Sequence, residues 1–437
     1  MKARKTAFFL ASLMVVSIAT ACGSGESGTD SSQGETEAFT EKDPEEYSGT
    51  LNVYSWTNDP EYQIEAFEEA YPNVDVEFTQ IGTDYDTKMQ TIIDNETDGP
   101  DVFYSDVKNV KYYIEADAWE NLSDAPYNAD TSDMVDYCVD VGSDADGNLR
   151  AMTYQATPGG FWYKRDLAKE YLGTDDPAEV SEMLSTMDGV LDTAEKIKTA
   201  SGGNTRMFAS YQDLWIMANY SLRSTPWVTD GKFNMDEYIP EFFDLAKTIR
   251  DNGYDAKLEW WSDEWYAAAA DESVFGYVLP TWGLMTVIQT GAPDSSGNWA
   301  IASMPEAYYN GGSYLGIYSQ SKNKELAWLY INFVCNNQDY LKQYAVDKSD
   351  YTSSKSVNAE LSEGYEEPWC AGQNTFEFFS GELDKINTSL VTRYDDTIGN
   401  LMLSNIDLYL NGTLSKEDAL EQFKSDVASS YRNLTVE

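Results

Sequence analysis

Tryptophans and carboxylates recur where predicted strands run out. The stretch "GYVLPTWGLM" (276–285) sets Trp282 between Pro280-Thr281 and Gly283 after a strand-forming run, and "LNVYSWTND" sets Trp56 just past Leu51–Tyr54. Asp106 follows a predicted strand at Val102–Tyr104, and Asp84 and Tyr85 lie in the loop after the strand before it. "MFASYQDLWIMANY" offers Tyr211, Asp213 and Trp215 after an expected strand at Met207–Ala209. Flat rings suit the apolar C–H faces of a sugar, and carboxylates or short polar side chains accept hydrogen bonds from its hydroxyls. Such a set is chemically suited to hold a polyhydroxylated solute.

Each of these residues also has a packing alternative. Asp106 reads equally as the cap of the next helix, and Trp215 as helix core. In "LEWWSDEW" Trp260, Trp261 and Trp265 read as packing, because 261 and 265 stand one helical turn apart. Gly311 and Gly312 in "GGSYLG" mark a close approach of backbone to a crossing chain or to a ligand. Arg393 and Tyr394 precede a helix and are placed to close over a bound molecule.

Other chemistries are excluded by what is missing. The 437 residues contain no histidine, which removes the commonest general base, the serine-type triad and the usual zinc ligand. The four cysteines, at 22, 138, 335 and 370, are too scattered for a disulfide scaffold or a Cys-x-x-Cys site. No metal or cofactor is expected. "DADGNLRAMTY" (144–154) reads as a turn at Asp146-Gly147 because it lacks the full calcium-loop pattern. A glycoside hydrolase needs only two carboxylates and stays open as the enzymatic alternative, but no motif holds paired acids on adjacent strand ends.

The elements that position these residues follow from periodicity. Leu51–Tyr54, the helical run Ile64, Phe67, Tyr71 behind Asn58-Asp59-Pro60, and the alternation Val74, Val76, Phe78 make a strand, a helix and a strand. With Val102–Tyr104 they predict a first α/β lobe with a largely parallel sheet. "FWYKRDLAKEYL" begins as strand and turns into helix, and helical signals dominate from 165 to about 275. Near the C-terminus Ser415 and Asp418 form a cap pattern ahead of the stripe Leu420, Phe423, Val427, Tyr431. A chain this long exceeds the roughly 250–300 residues at which single cores stop growing, so two domains are expected.

Charge and the N-terminal segment locate the protein. A formal charge of −46 repels phosphate backbones and anionic headgroups, which argues against nucleic acid and against electrostatic membrane adsorption. Residues 1–21 carry Lys2, Arg4 and Lys5 ahead of an apolar stretch from Ala7 to Ala21 and read as a secretory signal peptide. Small residues lead to Cys22, the expected lipidation site, and residues 22–47 read as lipid anchor and disordered tether. No second apolar stretch reaches membrane-spanning length, so the N-terminal lipid is the only expected membrane attachment.

The order of "GTLNVYSWTND", "EAFEEAYPNVDVEF", "GPDVFYSD", "GNLRAMTYQATPGGFWYKRDL", "VFGYVLPTWGL" and "GGSYLGIYSQSKNKELAWLYINFV" resembles the extracellular solute-binding proteins of family 1. That family comprises the receptors of carbohydrate ABC importers and includes the maltose-binding protein. The resemblance spans roughly residues 48–437, and Ala19 departs from the usual lipobox leucine. It implies an α/β, two-lobed periplasmic-binding-protein-like fold (type II), with a ligand cleft between lobes joined by crossing hinge segments. Lobe one is expected to use 48–155 plus 312–350, and lobe two 156–311 plus 351–437. The implied function is capture of a carbohydrate, an oligosaccharide above all, by a lipid-anchored monomer outside the cell, and delivery to an ABC permease. Peptides and polyamines are the non-sugar alternatives. The residues expected to touch ligand are Trp56, Tyr85, Asp106, Tyr211, Trp215, Trp282, Gly312 and Arg393.

Overall fold

A computed structural model of the chain describes residues 37–437. The signal segment and Cys22 lie outside the described residues. Ten strands follow in order: β1 Gly49–Ser55, β2 Val74–Gln80, β3 Val102–Asp106, β4 Met152–Thr153, β5 Gly159–Lys164, β6 Val228–Thr229, β7 Lys232–Phe233, β8 Gly276–Pro280, β9 Trp299–Ala302 and β10 Ser313–Ile317.

The first sheet has the order β2-β1-β3-β10-β4. Alternation sets its faces: Leu51, Val53 and Ser55 of β1 are buried, whereas the edge strand β2 keeps Val76 and Phe78 only half-buried. β1 runs parallel to β2 and β3, with Val53 opposite both Phe78 and Val102. β10 and β4 enter from later in the chain, and β10 runs antiparallel to both neighbours. The sheet is therefore mixed rather than largely parallel, because β10, from much later in the chain, is inserted antiparallel between β3 and β4.

The second sheet, β8-β5-β9, is antiparallel. Its central strand β5 is buried at all six positions, so both faces must be covered. Phe161 and Tyr163 face Phe275, while Trp162 points the other way against Phe379. The helix Asp395–Leu410 joins the buried cluster of Phe161, Tyr163 and Phe275 through Ile398, Met402 and Ile406.

Three chain segments run side by side between the sheets. The Ala156 amide donates to the Tyr351 carbonyl at 3.0 Å, and Asn310 donates to the Thr157 carbonyl at 3.1 Å. Pro158 and Tyr309 form an antiparallel bridge, as do Gln155 and Thr352.

Two local expectations are corrected. Met207–Ala209 is not a strand but an extended segment held by isolated bridges, with Phe208 opposite Asp255 and Arg206 opposite Val274. The tether expected through residue 47 ends earlier, since Phe39 packs edge-on against Tyr127 at 5.7 Å and Tyr47 is buried against Tyr71. Those two rings sit in an otherwise polar stretch, which is also held by the Phe39 amide on the Pro126 carbonyl at 3.1 Å and by Lys42 on Glu325. The C-terminal helix Lys416–Ser430 begins as its cap pattern predicts, with Ser415 Oγ accepting from the Asp418 amide at 3.1 Å.

Gly316 on β10 lies under the Trp119 indole, and a Cβ there would stand 2.3 Å from the ring. Trp119 is buried and stacked on Phe103 at 4.9 Å, so it has no room to retreat. Gly316→Ala is expected to cost about 1–3 kcal/mol, the usual penalty of overpacking, read as a fall in the urea midpoint with an unchanged m value.

Candidate functional site

The strand ends converge on one cavity of about 860 Å³. Trp56 follows β1, Asp106 closes β3, and Gly311 to Ser313 lead into β10. From the second sheet come Val278 and Leu279 of β8 and Trp282 just beyond it. Ligands of open α/β sheets bind beyond the carboxyl ends of strands, and β1, β3 and β8 all present such ends here.

Six tryptophans border this one space: 56, 215, 260, 261, 265 and 282, half of the twelve in the sequence. Trp282 is held by its indole N–H, which donates to the Asn310 carbonyl at 3.0 Å. A Cβ on Gly311 would come within 2.9 Å of that nitrogen, so glycine at 311 makes room for the ring. Trp261 stacks on Trp282 with centroids 5.9 Å apart and planes 24° from parallel. It is 54% exposed and has a φ of +67°, a left-handed conformation that is a genuine outlier for a bulky residue. Strain of this kind, of order 1–3 kcal/mol, concentrates at functional sites.

Carboxylates form the polar part of the wall. Asp213 accepts from the Ala209 and Ser210 amides at 3.0 and 3.2 Å and from the Trp260 indole at 2.7 Å. Burial nonetheless pushes its carboxyl up to about 7. Asp395, 3.5 Å from Arg223, is likewise pushed up by burial, to about 6. Asp350 accepts from Gln155 and Tyr344 at 2.7 Å each, and Gln155 in turn accepts from the Ser313 amide at 3.0 Å. That network is a polar floor made from the crossing segments.

The residues singled out from sequence divide into two groups. Trp56, Asp106, Trp215, Trp282 and Gly312 border the cavity. Asp106 is also the helix cap, accepting from the Lys108 amide at 3.1 Å, so both of its readings hold in one place. Trp215 is mostly buried against Phe242 and shows only an edge. Gly312, at φ +108°, has Thr157 of a crossing segment 3.5 Å from its Cβ direction.

Tyr85, Tyr211 and Arg393 do not border the cavity. Tyr85 stands behind Trp56 at 5.8 Å, buried, with its hydroxyl donated to the Tyr104 carbonyl. Tyr211 is turned into the core, where its hydroxyl donates to Asp407 Oδ1 at 2.8 Å. Arg393 sits outside, paired with Glu115 at 3.1 Å and stacked over Tyr112. In each case a nearer partner captures the side chain.

Trp260 and Trp261 are the residues that sequence reasoning misplaced. The helix there is Asp263–Ala267, capped by Ser262, whose Oγ accepts from the Trp265 amide at 3.2 Å. Trp260 and Trp261 therefore precede the helix, and only Trp265 is in it. The signal was present in Ser262 followed by Asp263 and Glu264, an N-cap with acids in the first turn.

A family model for bacterial extracellular solute-binding proteins matches residues 63–370. The chain belongs to this family. Its members bind solutes and are not enzymes. A solved extracellular solute-binding protein of family 1 is similar at 18% identity, over 87% of this chain and 99% of that one, with a TM-score of 0.76. The ABC transporter associated binding protein of B. animalis subsp. lactis Bl-04, solved with beta-1,6-galactobiose, shares 17% identity over 89% and 99% at a TM-score of 0.71. The sugar-binding protein MalE of Xanthomonas citri shares 17% over 88% and 98% at 0.69. At such identities the likeness establishes the fold, the two-lobed α/β architecture of the periplasmic binding proteins. Among the described residues no helix is long and apolar enough to cross a membrane. Cys138, Cys335 and Cys370 are buried and unpaired there.

Trp261 lends itself to a direct test. Trp261→Gly removes a stack worth about 0.5–1.5 kcal/mol and relieves a left-handed backbone costing roughly 1–2 kcal/mol in an L-residue. Its unfolding free energy is expected within about 1 kcal/mol of the parent in urea denaturation. A loss beyond about 3 kcal/mol, the scale of truncating a core tryptophan, would make the ring structural.

Proposed function

We propose that the protein captures a carbohydrate, an oligosaccharide, outside the cell and delivers it to the permease of an ABC importer. The observation that carries this reading is the convergence of six tryptophans and a hydrogen-bonding floor on one cavity between two sheets. Rings cover the apolar faces of sugar residues, and the carboxylates and Gln155 meet their hydroxyls. A volume of about 860 Å³ lies toward the upper end of the roughly 300–1,000 Å³ of ligand pockets, which suits more than one sugar ring. The sugar bound by the Bl-04 relative and the sugar-binding name of the Xanthomonas citri relative favour the same class.

In this reading Trp56, Trp260, Trp261 and Trp282 are stacking platforms, and Asp106 and Asp213 accept from hydroxyls. Lobe one takes residues 48–155 plus 312–350, and lobe two 156–311 plus 351–437. The three adjacent segments near 155–158, 309–312 and 351–352 act as the hinge. Lys108 with Asp396 at 3.2 Å and Arg393 with Glu115 link helix Val107–Glu115 to the start of helix Asp395–Leu410 and the residues just before it, across the cleft rim. One chain walls the whole cavity, which suits a monomer. Cys22 carries the lipid that tethers the protein to the outer face of the membrane.

A panel of neutral mono- and oligosaccharides tests the ligand class by thermal shift. A ligand bound only by the folded state stabilises it by about 2.7 kcal/mol at a hundred times its Kd, so Tm is expected to climb with concentration for at least one oligosaccharide. Flat melting curves across the whole panel would refute the carbohydrate assignment. For the anchor, Cys22→Ser is expected to move the protein from the membrane fraction to the soluble one, and retention in the membrane would exclude lipid at that position.

A further inference from the structure

The charge around the cavity is one-sided. Seven carboxylic side chains border it against two lysines and no arginine. The two lysines differ in what already holds them, Lys108 by an ion pair and Lys348 by an aromatic ring alone. Lys108 Nζ lies 3.2 Å from Asp396, and Lys348 Nζ sits 4.6 Å above the ring of Tyr62. The nearest buried guanidinium, Arg223, stands behind the wall and is taken by Asp395.

The acids differ in what already balances them. Asp213 and Asp350, 2% and 1% exposed, have only neutral hydrogen-bond partners: amides, an indole, a carboxamide and a tyrosine hydroxyl. A buried carboxylate without a cation is costly, and burial accordingly raises both groups above the usual carboxylate range. A second anion beside their ionised forms would add repulsion in a medium that screens it poorly, whereas an ammonium would hold them ionised. Trp265 also borders the cavity, is 2% exposed, and its indole N–H has no acceptor among the described residues.

We infer that the cleft admits neutral and ammonium-bearing sugars, prefers the ammonium-bearing ones, and rejects uronates and other anionic sugars. The inference rests on the carbohydrate reading above and specifies its substrate class. An ammonium replacing a hydroxyl near Asp213 and Trp260 gains a charge-assisted hydrogen bond and a cation–π contact, both strengthened by desolvation. A carboxylate at the same place meets no cation and must lose its hydration as well.

The test uses matched sugars on the full chain, measured by calorimetry at pH 7 in low salt. One series is cellobiose, the β-1,4 glucosamine disaccharide and cellobiouronic acid, and a second is the corresponding α-1,4 set. The uronate is expected at least tenfold weaker than its neutral parent, and the amino sugar at least as tight as that parent. A uronate within threefold of the neutral sugar, or an amino sugar tenfold weaker, overturns the inference and leaves carbohydrate binding standing. Binding of spermidine with none of the sugars overturns both. Asp213→Asn serves as the internal check, since it removes the ionisable carboxyl at similar shape. At pH 8.5, where the Asp213 carboxyl is ionised, it is expected to narrow the ratio between neutral sugar and uronate at least threefold while circular dichroism stays native. An unchanged ratio in that folded variant also counts against the inference.

Discussion

The arrangement of both sheets depends on a small buried polar network where three chain segments cross. Gln155 donates to Asp350 and accepts from the Ser313 amide, Tyr344 donates to the same carboxylate, and Thr157 Oγ1 donates to the Gly311 carbonyl at 3.0 Å. Away from water an unmade hydrogen bond costs more than a made one gains, so the network tolerates few alternative registers. It ties the start of β10 to the segment leaving β4 and to the residues that follow Asp350. Through those ties it sets how the strand ends of one sheet face those of the other.

The cavity follows from that register. β1 and β3 deliver Trp56 and Asp106 from one side, and β8 delivers Trp282 from the other. Gly311 occupies the one position where a side chain would collide with the Trp282 indole, so a crossing segment also shapes the aromatic wall. Trp261 then completes the wall at the expense of backbone conformation, a local conflict of the kind tolerated where function demands it.

Electrostatics separates the outside of the molecule from its cleft. The formal charge of −46 belongs mostly to solvated side chains, where single charges are screened and inexpensive. The carboxylates of the cavity wall are different in kind, because Asp213 and Asp350 are desolvated and matched only by neutral donors. The same residue type thus meets water on the surface and only neutral donors inside.

Local signals in the sequence were enough for the strands at 51–54 and 102–104, the helix after Pro60, the strand-to-helix passage within 161–172 and the Ser415 cap. Periodicity and capping act over a few residues, and the fold class followed from their order. Trp56, Asp106 and Trp282 were also legible, because an aromatic or acid just past a strand end has one natural direction to face. What the sequence alone did not determine is which neighbour captures a side chain. Tyr211 is taken by Asp407, almost two hundred residues later, and Arg393 by Glu115, while Trp260 reaches the cavity through its bond to Asp213. Those choices are made by partners brought together only when the chain crosses between its sheets, so tertiary structure decided them.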